Sequence, residues 1–170
     1  MVEKTLVAVN FRFVYSGSFS IHGLYDLVDK WAEEHHYHKE IKDHAEHHRP
    51  DGRELHYSIE LWKQINYQVV AIVRFTLDAK RVRDATITVD RRKEKVQHGD
   101  VSIYIDSLLE RHRLHAYEYK PYIYFFRAIV DRFIYKNLLD MHEGPLAADV
   151  RNLYDHVRTF FQKEEVKRIP

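Results

Sequence analysis

Histidine is concentrated in one stretch of this sequence, at His35, His36, His38, His44, His47, His48 and His56. Within it His44, Glu46 and His48 stand two residues apart. Residues two apart share one face of a strand, so this spacing offers two imidazoles and a carboxylate to a zinc ion and leaves a position open for an activated water. The competing reading is a solvated edge strand whose histidines titrate near neutral pH and hold no metal.

A second set is apolar with a few polar tips. Leu55, Tyr57, Ile59, Val73, Phe75, Ile87, Ile103 and Ile105 recur at strand spacing, and Tyr122, Phe126, Ile129 and Phe133 at helical spacing. Facing one another, they would line a pocket for a lipid, steroid or polyketide-sized molecule, or else fill it by packing together. Arg83 is in phase with Ala85 and Ile87, which places a guanidinium at the pocket mouth for a carboxylate or phosphate headgroup, or at the strand end in solvent. The ligand-binding set is therefore Tyr57, Phe75, Arg83, Tyr122, Phe126, Ile129 and Phe133. A basic run, Arg81, Arg83, Arg91, Arg92, Lys93 and Lys95, is interleaved with Asp84, Asp90 and Glu94, which cancels most of its field, so nucleic acid is not an expected partner. No catalytic motif stands out, since there is no nucleophile elbow, phosphate loop or H-E-x-x-H.

The chain that must position these residues has 170 of them, the size of one domain spanning 1–170. Lysine and arginine number 27 against 26 acidic residues, so net charge gives no reason to expect a polyanionic partner. The absence of cysteine removes disulfides, thiol catalysis and thiolate metal sites. Met1 to Lys4 lead directly into a strand-like segment without a signal-peptide pattern, and no apolar run is long enough for a transmembrane span. A cytoplasmic protein is the expectation.

Alternation from Thr5 to Tyr15 predicts a strand, and Leu24, Leu27, Val28, Trp31 and His35 predict a helix from Ile21 to His36, capped by Ser18 or Ser20. From Tyr37 the period becomes two. Turn signals at Pro50-Asp51-Gly52, Asn66, Asp78-Ala79-Lys80 and Gly99-Asp100 then predict an antiparallel meander, with a further extended segment over Leu114 to Tyr119. Tyr122, Phe125, Phe126, Ile129, Val130, Phe133, Ile134, Leu138 and Met141 predict a helix with a broad buried face, entered at Pro121 and interrupted at Gly144-Pro145. Leu146, Val150, Leu153, Tyr154, Val157, Phe160 and Phe161 then resume the pattern, either extending that helix or covering an opening. The fold class is α+β, a curved antiparallel sheet of about six or seven strands packed around a long, interrupted C-terminal helix.

This order, strand, helix, meander and final helix, resembles the helix-grip fold of the START and Bet v 1-like superfamily (SRPBCC, polyketide-cyclase-like proteins). The resemblance covers nearly the whole chain and rests on element order and on the apolar final helix. It implies a sheet wrapped around that helix and an apolar ligand between them. The expected function is binding of a hydrophobic small molecule, without a cofactor. The alternatives are an interaction or homo-oligomeric structural domain, with Trp62 as the outward aromatic, and a histidine-ligated zinc protein.

Overall fold

Residues 2–89, 92–112 and 136–166 are described in a computed structural model. Strand β1 (Val2–Phe19) leads to helix α1 (Ile21–Glu34), then to strands β2 (His38–Arg49), β3 (Gly52–Gln64), β4 (Val69–Val89) and β5 (Arg92–His112), and finally to helix α2 (Lys136–Val166). The described strands form one antiparallel sheet in the order β1-β5-β4-β3-β2, so the last of them lies beside the first. The fold is α+β. The segments expected over Leu114 to Tyr119 and from Pro121 to Tyr135 lie outside the described residues.

Five strands lie among the described residues, and two of the expected turn signals do not turn the chain. Asp78-Ala79-Lys80 and Gly99-Asp100 lie inside β4 and β5, each of 21 residues. Between the pairs Lys80↔Asp100 and Arg83↔His98, β4 places Arg81 and Val82 opposite the single residue Gly99. That extra residue is a β-bulge, and it is matched on the β3 side between Arg53↔Val82 and Leu55↔Ala79. Arg81 takes the left-handed conformation there, with φ of 54°. A Cβ on Gly99 would stand 2.9 Å from the Lys80 carbonyl oxygen, so glycine lets the bulged strand approach. The bulge also reverses the side-chain phase: Ala79 and Val82, three apart, are both buried, while Arg83 is exposed.

One face of the sheet carries the core. Leu55, Tyr57, Ile59 and Leu61 of β3, Val73, Phe75 and Leu77 of β4, and Val101, Ile103 and Ile105 of β5 are all buried in one cluster with both helices. Helix α1 starts where Ser20 accepts a bond from the Gly23 amide at 3.1 Å, and it buries Leu24, Val28, Trp31 and Ala32. Helix α2 buries Leu146, Val150, Leu153, Val157 and Phe161, at steps of three or four. Phe161 meets Phe13, Tyr15 and Phe19 with centroids 4.7–6.0 Å apart, so this end of the helix lies over β1.

The expected interruption at Gly144-Pro145 is not a break, for α2 is helical throughout with Pro145 inside it. Proline removes one i→i−4 hydrogen bond, at a cost of about 3 kcal/mol. Gly144 and Pro145 sit on the exposed side, whereas the apolar stripe begins at Leu146, and each buried side chain of that stripe contributes roughly 1.5–3 kcal/mol. Packing outweighs the local signal, and Leu146 to Phe161 extends the helix.

Candidate functional site

A partly enclosed set of polar groups sits where the C-terminal end of α1, the end of β3 and the first half of α2 converge. Its geometry begins with the way α1 stops. Tyr37 N–H donates to the Ala32 carbonyl at 2.7 Å and His36 N–H to the Glu33 carbonyl at 3.1 Å, while His36 takes φ of 60°. This is a Schellman cap with histidine in the left-handed position that glycine usually fills. It turns Tyr37 back beneath the helix, where its ring lies 5.3 Å from that of Trp31 and is only 5% exposed.

Three side chains then meet. The Tyr37 hydroxyl donates to Asp149 Oδ2 at 2.8 Å. Lys63 Nζ stands 3.5 Å from the same oxygen, donates to the His35 carbonyl at 3.3 Å, and lies 4.4 Å from the Tyr37 ring centroid. A cation over an aromatic face is attracted by the ring quadrupole, so Lys63 caps a column of His35, Trp31 and Tyr37. Burial, the hydrogen bond to Asp149 and the charge of Asp149 together hold the Tyr37 phenol well above its ordinary value of 10.0. Tyr37 is therefore a neutral donor at physiological pH.

This trio borders a hollow of about 240 Å3 between α2 and the sheet. Gln64, Ile65, Ala71, His142, Pro145 and Leu146 complete it, so its lining mixes polar and apolar side chains. Lys63 and Asp149 offset each other in charge. The site suits an uncharged hydroxyl or carbonyl better than an ion: the Lys63 ammonium and the Gln64 amide supply donors, and the Tyr37 oxygen, its proton donated to Asp149, supplies an acceptor.

Of the residues selected from the sequence, Tyr57 and Phe75 lie on the inner face of the sheet. Phe75 is fully buried, and Tyr57 packs its ring 4.5 Å from that of Tyr25. Arg83 is exposed at the bulge, where its Nε donates to the Asp51 carbonyl at 3.1 Å. Tyr122, Phe126, Ile129 and Phe133 lie outside the described residues. His44, Glu46 and His48 do share a face of β2, opposite Tyr57, Leu55 and Arg53 in the register. The Glu46 carboxylate takes a bond from Arg53 at 3.0 Å, and the His44 ring is set edge-on to Tyr57. Among the described residues no group of three or more such side chains is arranged to hold a metal ion. Trp62 is half-buried on the outer face, with its ring 4.6 Å from that of His38.

Tyr37, Lys63, Asp149 and His142 had no local signal. Tyr37 and Asp149 are 112 residues apart, and only the docking of α2 brings them together. No helix among the described residues is long and apolar enough to cross a membrane. No protein-family model matches the chain, and a search of curated proteins returned no match.

Proposed function

We propose that this chain is a binding protein of the helix-grip type that holds a small hydrophobic molecule by an uncharged polar end in the hollow beneath α2. The topology supports the type: β1 pairs with β5, the last of the described strands, α1 follows β1, and α2 packs on the core face of the sheet. One observation carries the binding reading, namely that Tyr37, Lys63 and Asp149 are held as a charge-balanced polar set in a hollow that Ile65, Ala71, Pro145 and Leu146 also line. At roughly 30 Å3 for each water-sized group, about 240 Å3 receives some eight such groups, the head and first carbons of a lipid- or polyketide-like molecule. The centre of the grip is filled by Ile59, Phe75 and Ile105, all fully buried, so the ligand sits at the rim.

Titration of the protein with decanol, decanoate and decylamine, followed by native mass spectrometry and tyrosine fluorescence, tests this reading. Decanol should bind best, and Ile65→Trp, which fills the hollow from a half-exposed position, should abolish its binding. Absence of binding by all three probes, or binding unchanged in Ile65→Trp, would sink it.

A further inference from the structure

At the other end of β3, the bulge builds a second hollow, of about 280 Å3, that the rim site leaves unused. Ser16, Asp51, Arg81, Arg83, His98, Gly99 and Asp100 border it. Three guanidiniums lie near one another here, and they are not equivalent. Arg53 is bonded to Glu46 at 3.0 Å and to Asp84 at 2.5 Å. Arg81 is bonded to Asp100 through Nε at 2.7 Å and through Nη2, while Ser16 holds the other oxygen of that carboxylate at 2.6 Å. Arg83 makes no ion pair with a described residue, and its single hydrogen bond, from Nε to the Asp51 carbonyl, fixes the side chain without neutralising it.

His98 completes the arrangement. It is the cross-strand partner of Arg83, so the two Cβ atoms emerge side by side on one face. Its Nδ1 is engaged with Ser18 Oγ at 3.0 Å, which leaves Nε2 for a ligand. Each side chain is thus anchored at one atom with its remaining donors unspent. We infer that Arg83 and His98 form a binding site for a phosphate group. The two Nη atoms of the guanidinium take two oxygens and the imidazole a third, which a tetrahedral anion satisfies and a planar carboxylate does not. The bulge is what makes the site, because without its extra residue Arg83 would stand in the phase that Val82 now occupies in the core.

Asp51 is the one carboxylate on this hollow that has no bonded partner among the described residues, and it opposes the anion. Its side chain can therefore be used as a control. Inorganic phosphate and phenyl phosphate are titrated into the full chain and followed by the ring signals of His98 and the Arg83 Nε–H signal in NMR, at constant ionic strength. Saturable shifts confined to these residues are expected. Arg83→Gln, an exposed change that leaves the fold intact by circular dichroism, should weaken binding by at least about tenfold, and Asp51→Asn should tighten it by about threefold. A tighter complex with phenyl phosphate assigns the source as a phosphate monoester, and equal affinity assigns it as free phosphate. Shifts that do not saturate, or affinity unchanged in Arg83→Gln, would overturn the inference.

Discussion

The two ends of β3 are built from the same parts and differ in what surrounds them. Each has a carboxylate that gathers a hydroxyl and a cation, Asp149 with Tyr37 and Lys63, Asp100 with Ser16 and Arg81. Each also has a non-glycine residue in the left-handed region, His36 with φ of 60° and Arg81 with φ of 54°. At the α2 end the hydroxyl belongs to a ring that is 5% exposed, whereas at the bulge end the Arg81 side chain is 66% exposed. The difference teaches that the count of bonds does not set their weight. A hydrogen bond whose partners are cut off from water is costly to leave unmade, and an exposed one is readily replaced by solvent.

The largest effect should therefore come from Tyr37. Tyr37→Ala removes a buried ring stacked on Trp31, the seat of Lys63 and the donor to Asp149, and is expected to cost about 3–5 kcal/mol in urea unfolding. Tyr37→Phe keeps the ring and should cost about 1 kcal/mol. If the two variants lose the same stability, the hydroxyl rather than the packing holds this end, and the comparison fails. Alkali tests the same group. A phenol whose folded pKa is raised contributes stability that is present below its ordinary value and lost as pH climbs through the folded value. Tyr37 is raised in this way, and burial together with the nearby Tyr57 and Glu46 pushes Tyr25 up to about 12. Stability should fall progressively as pH rises from about 10 towards 12 and beyond, and a flat profile there would contradict the burial of both rings.

Backbone conformation sharpens the contrast next, through two substitutions of opposite sign. Gly52 has φ of 143°, and a Cβ there would stand 2.8 Å from the Arg81 carbonyl carbon. Gly52→Ala should cost about 1–3 kcal/mol, because backbone and not a flexible side chain has to move. His36→Gly relieves the left-handed strain at the α1 cap and should gain up to about 1 kcal/mol, read as a rise in the unfolding midpoint at unchanged slope. A loss in His36→Gly would mean that the histidine ring itself holds the cap.

These particulars also show how far the sequence was readable. The strand from Thr5, the helix from Ile21 behind Ser20, the paired strands around Gly52 and Asn66, and the apolar stripe from Leu146 to Phe161 follow from periodicity and capping chemistry, which are local. What failed were punctuation marks judged out of context. Asp78-Ala79-Lys80 and Gly99-Asp100 read as turns because their residues suit turns, yet the same residues suit a bulge once neighbouring strands hold the chain on both sides. Gly144-Pro145 read as a stop, although the packing of Leu146 and Val150 keeps the helix going. Of the candidate sites, Arg83 was expected at a pocket mouth or in solvent at a strand end; it is exposed, but inside β4, where the bulge sets its phase. Tyr37, Lys63 and Asp149 were not legible at all, since their meeting is a property of helix docking and not of spacing.

The smallest effect is expected at Asp100, and it completes the contrast from the acid side. The hydrogen bonds from Ser16 and Arg81 hold its carboxyl below the ordinary value of 3.8. The sign is opposite to that of the tyrosines: the contribution is present above pH 3.8 and lost as pH falls through the lowered value. Because the pair is exposed, Asp100→Asn should cost less than about 1 kcal/mol at neutral pH, and most of that should vanish in 1 M salt, where the screening length is about 3 Å. Urea unfolding of this variant at low and high salt, beside Tyr37→Phe under the same conditions, is the direct measurement. The Tyr37→Phe loss should respond less to salt, since the donor is an uncharged hydroxyl on a buried ring. If Asp100→Asn proves the more costly and the less salt-sensitive of the two, burial is not what separates the two ends of β3, and the bulge rather than the rim hollow is the better-ordered site.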